Sequence, residues 1–311
     1  MDTAGKTEIL FNEQLRDWEL AGINYGMLRS VKTRVLSFGG YRVLVQFNPG
    51  RIRSSAAKVD AKSIEDRPCF LCEKNRPAEQ RGVVTDFGLT ILVNPFPIFN
   101  RHLTIVSGDH IPQVISGHFT EMLSLARTLK NYVIFYNGPK CGASAPDHFH
   151  FQAGNLGFLP VEEDFELKAS VKLLTVWAGT QIWMWRDYGR AIATLRGRDP
   201  ESLHTVFGSF YARMKMLRND KPEPMMNILA YESGNDYVVH LIPRRLHRPS
   251  QFFADGDGQV LLSPASVDLG GVLITPREED FMKLTTELAG DIFSQVCLSE
   301  DQLEKLFDEF V

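Results

Sequence analysis

Short apolar runs closed by Asn, Gly or Pro alternate along the chain with stretches whose apolar positions recur every three or four residues. The runs 41–47, 89–93, 102–106 and 133–137 have strand length and strand composition. Between the last two, Met122, Leu125, Ala126 and Leu129 follow a helical period, and Thr120 is the expected N-cap. Further on, 171–177, 181–185 and 191–195 predict an antiparallel meander with turns at Ala178-Gly179 and around Asp187 to Gly189. Asp199 and Pro200 then open a helix whose Leu203, Phe207, Phe210, Met214 and Leu217 share one face. The runs 227–232 and 237–242 predict a hairpin across Ser233-Gly234-Asn235-Asp236. Thr275-Pro276-Arg277-Glu278 and Ser299-Glu300-Asp301-Gln302 both have the form of a capping box ahead of a helix. This order of elements predicts an α+β fold with antiparallel connections throughout.

The alternation carries chemistry at His148-Phe149-His150-Phe151-Gln152. On a strand, the two imidazoles and the amide share one face, ~6.5–7 Å apart in succession, while the phenylalanines anchor the other. The preceding loop, 137–144, contains Gly138, Gly142 and Ser144, and its glycines let backbone approach an anion closely. Neutral imidazole can attack an anionic phosphorus, so His150 is the candidate nucleophile. A backbone carbonyl holding its Nδ1 proton would leave Nε2 for the attack, with Gln152 and Ser144 donating to phosphate oxygens. The bland alternative is a pair of ordinary histidines on a half-buried strand.

Composition narrows the setting. The 311 residues are 44% hydrophobic and 23% charged, a globular profile. No apolar run reaches the ~20 residues of a membrane helix, and the N-terminus lacks the pattern of a signal peptide, so a cytoplasmic protein is expected. A net charge of -4 gives no general attraction to nucleic acid or to a membrane surface, so a phosphate ligand must be held by a local cluster. Of four cysteines, Cys69 and Cys72 have the spacing of a tetrahedral zinc site. His110 and His148 would complete it, with His102 or His118 able to replace His110; a redox pair has the same Cys-x-x-Cys spacing. Arg51 and Lys58, in a turn rich in cations and hydroxyls, are candidate holders of distal phosphates or members of a solvated loop. Arg244, Arg245 and Arg248 form a second basic cluster, and Trp177, Trp183 and Trp185 read as core.

Together these residues resemble the histidine-triad (HIT-like) superfamily, and within it the branch whose motif ends in Gln: galactose-1-phosphate uridylyltransferase, diadenosine tetraphosphate phosphorylase and the GDP-hexose phosphorylases. His148 to Gln152 is similar to that branch's His-x-His-x-Gln, whose second His becomes nucleotidylated. Asn94-Pro95-Phe96-Pro97-Ile98-Phe99 with 102–106 resembles the segment shaping the nucleotide pocket, which implies Asn94, Phe96 and Phe99 as substrate-binding residues alongside Gly142, Arg51 and Lys58. Cys69, Cys72, His110 and His148 resemble the family's structural Zn2+ framework. The likeness covers roughly residues 48–160 and thins beyond it. Three residues lie between Ser144 and His148, a spacing unlike the uridylyltransferases.

The resemblance implies an antiparallel HIT-like sheet with helices in two halves related by a pseudo-twofold. Residues 1–160 would form the catalytic half with the zinc site, and 161–311 a degenerate half. It further implies a nucleotidyltransferase working through a nucleotidyl-histidine, most directly a phosphorylase of dinucleoside polyphosphates or nucleoside-diphosphate hexoses. The alternatives are uridylyltransferase-like exchange between hexose 1-phosphates, a HIT-type hydrolase, or a nucleotide-binding protein without catalysis. Partners would be a nucleotide or nucleotide sugar and a phosphate or sugar-phosphate acceptor, with a homodimer allowed.

Overall fold

The computed structural model describes residues 1–52, 61–168 and 170–310, so the expectation placed on Lys58 lies outside the described residues. In chain order the strands are β1 (Lys32–Ser37), β2 (Arg42–Phe47), β3 (Gly82–Val84), β4 (Leu89–Val93), β5 (His102–Ser107), β6 (Tyr132–Asn137) and β7 (His150–Asn155). They continue as β8 (Val171–Trp177), β9 (Thr180–Trp185), β10 (Ala193–Gly197), β11 (Met226–Ser233), β12 (Asp236–Pro243) and β13 (Val272–Thr275).

Ten of the strands form one sheet in the order β3-β4-β5-β7-β6-β11-β12-β10-β9-β8, and β1-β2-β13 form a smaller sheet. The large sheet is antiparallel throughout, whereas β13 joins β2 in parallel, an exception to the antiparallel expectation. Either side of the central β6·β11 pair the chain runs through three strands, one helix and two strands. At that pair Phe135 faces Leu229 and Asn137 faces Asn227.

Alternation along the strands divides the core. Phe149, Phe151, Ile134, Tyr136, Ile228 and Val239 pack on one face, with residues of the helices Phe119–Thr128 and Pro200–Leu217 and of the N-terminal helices Thr3–Asp17 and Glu19–Met27. Phe135, Leu229, Val238 and Ile242 pack on the other, with Val43, Val45 and Ile274 of the small sheet and Ile292 and Phe293 of the helix Thr286–Val296. The hairpin turns at Gly234-Asn235 between paired Ser233 and Asp236, as its sequence requires. Asp199 caps its helix through the backbone of Glu201 and Ser202, and Ser299 sits in a complete capping box.

Two expected caps are not formed. The helix expected to start after Thr120 begins at Phe119 with His118 in the cap position, because the apolar Phe119 is itself needed in the core. Thr275 ends β13 and donates its hydroxyl to the carbonyl of Gln46, so the box expected there gives way to a strand end, and the next helix, Glu278–Lys283, has no side-chain cap. The two N-terminal helices and β1 carry no counterpart among the elements expected from the sequence. Among the described residues no helix is long and apolar enough to cross a membrane.

Candidate active site

The strand expected over His148 to Gln152 begins at His150. His148 lies in the bend before it, and this bend is what sends its ring away from the sheet toward Cys69 and Cys72. Its backbone still serves the strand: the Nδ1–H of His150 donates to the carbonyl of His148 at 2.8 Å. That bond fixes the tautomer, so Nε2 of His150 carries the lone pair. Burial pushes the imidazole pKa down to about 4, and the ring, 3% exposed, borders a cavity of about 790 Å³.

Gln113, fully buried in the segment after β5, holds this arrangement. Its Oε1 accepts from the backbone N–H of His150 at 2.8 Å, and its amide group donates to the carbonyls of His150 at 2.9 Å and Asn137 at 3.0 Å. The side chain thus satisfies backbone groups where β6 and β7 have ceased to pair directly. Sequence reasoning had no signal for it, since a lone Gln between Pro112 and Val114 matches no periodicity.

Gln152, two residues along β7, also lines the cavity, together with Ser144, Gly142, Arg51 and Phe96. Gly142 has φ of +95°, and a Cβ there would lie 2.5 Å from that of Ala265, so this loop packs directly against the C-terminal half. Arg51 donates to the carbonyl of Phe96 at 2.6 Å, and burial pushes its guanidinium down to about 10. Asn94 spends its amide locally, donating to Thr104 at 3.0 Å and accepting from the backbone of Phe96 at 2.9 Å, and so shapes the rim of the cavity it lines. Phe99 is not brought to the cavity wall. It is fully buried beneath, against Phe135 and Phe158, in a space that exists because residue 154 is Gly: a Cβ there would lie 2.4 Å from the Phe99 ring.

The C-terminal half supplies His247, Arg248, Ser263, Ala265, Asp268 and Ile274 to the same cavity; of these Arg248 belongs to the second basic cluster marked in the sequence. Of the second basic cluster, Arg244 is buried and donates to the carbonyls of Val296, Pro264, Leu246 and His247 and to Asn227, so it clamps loops together. Trp185 is core, fully buried beside Tyr188 and donating to Thr194.

Cys69, Cys72, His110 and His148 converge, their ligand atoms all within 4.8 Å of one another, and can hold a metal ion. The Sγ to Nδ1 separations of 3.2, 3.4 and 3.5 Å match the edges of a tetrahedron with metal–sulfur and metal–nitrogen bonds of ~2.3 and ~2.0 Å. Nε2 of His148 donates to the carbonyl of Ser107 at 2.9 Å, which leaves Nδ1 as the ligand atom. His102 and His118, the substitutes weighed for His110, lie elsewhere: His102 contacts Gln152, and His118 stacks on Phe149.

An antiparallel sheet carrying an imidazole, an amide and a glycine loop on one face, beside a Cys2His2 cluster, has the arrangement of a HIT-like fold. A family described as a domain of unknown function, DUF4922, matches residues 10–155. Galactose-1-phosphate uridylyltransferase of Halalkalibacterium halodurans is 26% identical over 215 residues, 60% of this chain and 41% of that protein. The enzyme of the same name from Clostridium acetobutylicum is 29% identical over 128 residues, 35% of this chain and 26% of that one. The chain therefore spans less than half the length of these relatives. In fold it is similar to yeast Ap4A phosphorylase Apa2, with a TM-score of 0.62 at 16% identity over 91% of this chain and 97% of that one. The same enzyme in complex with Ap4A matches with a TM-score of 0.62 at 15% identity over 96% and 99%. The chain thus has a HIT-like fold, is similar to uridylyltransferases in sequence over part of its length, and is similar to Ap4A phosphorylase in fold.

Proposed function

We propose that this chain is a nucleotidyltransferase that forms a covalent nucleotidyl intermediate on His150, and that it acts as a phosphorylase of dinucleoside polyphosphates or nucleoside-diphosphate hexoses. The observation that carries the reading is the bond from Nδ1–H of His150 to the His148 carbonyl, which holds Nε2 unprotonated at the edge of the cavity. Nε2 attacks the α-phosphorus, a P–N bond forms, and the bond to the bridging oxygen breaks as the distal portion leaves with that electron pair. A phosphate oxygen then attacks the same phosphorus, the P–N bond breaks, and the ring returns to its starting form. The amide of Gln152 and the Ser144 hydroxyl donate to the phosphoryl oxygens, and Arg51 balances distal phosphate charge. Phosphorolysis is favoured over hexose 1-phosphate exchange because the fold likeness to Ap4A phosphorylase runs the length of both chains, whereas the uridylyltransferase likeness covers less than half of those proteins.

Cys69, Cys72, His110 and His148 would hold zinc. With all four positions filled by protein, the ion would fix the loops at the start of β7 and leave the reaction to the side chains. We assign residues 1–160 the chemistry and 161–311 a supporting role. When the two runs of strands are matched end to end, Tyr132 with Met226 and Asn155 with Pro243, Val238 takes the position of His150 and His240 that of Gln152. A valine has no nucleophile, so one reaction centre per chain is expected.

The test is intact mass spectrometry of enzyme mixed briefly with candidate dinucleoside polyphosphates and nucleotide sugars, with and without inorganic phosphate. The expected result is one acid-labile nucleotidyl adduct, discharged by phosphate and missing in His150→Gly. Turnover that ignores added phosphate points to a hydrolase, and an adduct that survives in His150→Gly rules out this nucleophile.

A further inference from the structure

His102 was weighed from sequence as a spare metal ligand and as the first residue of 102–106, yet it is fully buried on the catalytic face of β5, diagonal to Gln152 of β7. Both of its ring nitrogens are engaged. The backbone N–H of Ile98 lies 3.2 Å from Nδ1, and Oε1 of Gln152 lies 3.0 Å from Nε2. A backbone N–H can only donate, so Nδ1 must be the acceptor and the ring proton must sit on Nε2. An Nε2–H donor in turn requires an acceptor across from it, and the amide of Gln152 can supply one only through its oxygen. The amide nitrogen, with both of its hydrogens, is then turned from the histidine toward the cavity that Gln152 lines.

We propose that His102 is a positioning residue that locks Gln152 with its amide donor facing the reacting phosphoryl group. The inference rests on the proposed nucleotidyl transfer for its consequence but not for its geometry. Without the His102 proton the Gln152 amide could rotate by half a turn and present its carbonyl oxygen to an anionic phosphate, converting an attraction into a repulsion. The chain extends outward from this pair. Tyr25, on the helix Glu19–Met27, donates to the carbonyl of His102 at 2.9 Å and accepts from its N–H at 3.2 Å, while neighbouring Asn24 donates to the carbonyl of Pro95 at 2.6 Å. The helix Glu19–Met27 therefore holds both the histidine and the loop that carries Ile98. The rings of Phe99 and Phe135 at 5.3 and 6.0 Å enclose the imidazole, and burial pushes its pKa down to about 3, so it remains neutral throughout the working range.

Two measurements test the proposal. In enzyme labelled with 15N-histidine, long-range 1H–15N correlation spectra are expected to show His102 as the Nε2–H tautomer from pH 5 to 8; an Nδ1–H tautomer or a charged ring in that range overturns the proposal. In single-turnover nucleotidylation, His102→Phe is expected to lower the rate by about 10- to 100-fold with little change in substrate affinity. His102→Gln, which retains an N–H donor, is expected to recover part of that loss. In a Gln152→Ala background the His102→Phe change is expected to have almost no further effect, because the group it positions is gone. Multiplying effects in the double variant would show that His102 acts on the fold at large and not through Gln152. A wild-type enzyme that forms no adduct would overturn the proposed reaction instead, and the tautomer measurement would still decide the geometry.

Discussion

Buried polar side chains at single positions decide how this site is held. Gln113 makes three hydrogen bonds to backbone groups of His150 and Asn137, all in a region closed to water. Gln113→Ala strands those groups, at about 1–3 kcal/mol for a buried unsatisfied group. A loss of about 2–4 kcal/mol in urea unfolding is therefore expected, with a nucleotidylation rate reduced more than substrate affinity. His102 and His240 give the fold a second measurable property. Both are fully buried and held neutral, their pKa values pushed down to about 3 by desolvation. Between that value and the ordinary 6.5 the unfolded chain binds more protons than the folded one, so their stabilising contribution is complete above pH 6.5 and is lost as pH falls. Each should cost about 1.4 kcal/mol per pH unit below 6.5. Urea titrations at pH 7.0 and 5.0 should show this loss, and His240→Leu should reduce its slope by about one proton. An unchanged slope in the variant would mean that His240 can be protonated in the folded state.

At the scale of elements, the bend before β7 links the candidate metal cluster to His150, the proposed nucleophile. His148 can ligate through its ring, while its carbonyl fixes the tautomer of His150, so the two functions share one residue. Removing one of these candidate ligands should therefore be felt at the proposed reaction centre. Cys69→Ser is expected to lower bound zinc from about one equivalent to well below half, to reduce the melting temperature, and to slow nucleotidylation by at least ~10-fold, as losses of metal-site support generally do. Elemental analysis, thermal melting and the adduct assay on the same sample check this. Full activity in protein with less than half an equivalent of zinc would sever the link. The hairpin β11–β12 and the helix Pro200–Leu217 follow their local signals closely, because tight turns and caps are settled within a few residues. Thr275 departs from its cap-like motif because a parallel pairing with β2, more than two hundred residues earlier, claims it first.

At the scale of the whole molecule, the two runs of strands meet at β6·β11 and create a cavity to which both contribute. The second run fills the face corresponding to the proposed reaction centre with the rings of Phe165, Trp185 and Tyr231 around His240, an arrangement that leaves packing where the first run has a pocket. Isolated residues 1–160 should accordingly fail to support the reaction: the loop around Gly142 would lose its contact with Ala265, and the cavity its wall from His247 to Ile274.

Alternation, turn chemistry and the spacing of Cys and His residues were legible in the chain because they depend on neighbours a few positions apart. They suffice to mark His150 and Gln152 as sharing a face, the four metal-cluster residues as candidates, and an antiparallel α+β fold as the architecture. The bond partners of His102, the clamp made by Gln113, the burial of Phe99 beneath Gly154 and the wall supplied from beyond residue 240 were decided only in three dimensions. Each depends on which strands lie side by side and on which polar groups remain unpaired once they do, and hydrophobic period along a chain records which face is buried but not what it is buried against.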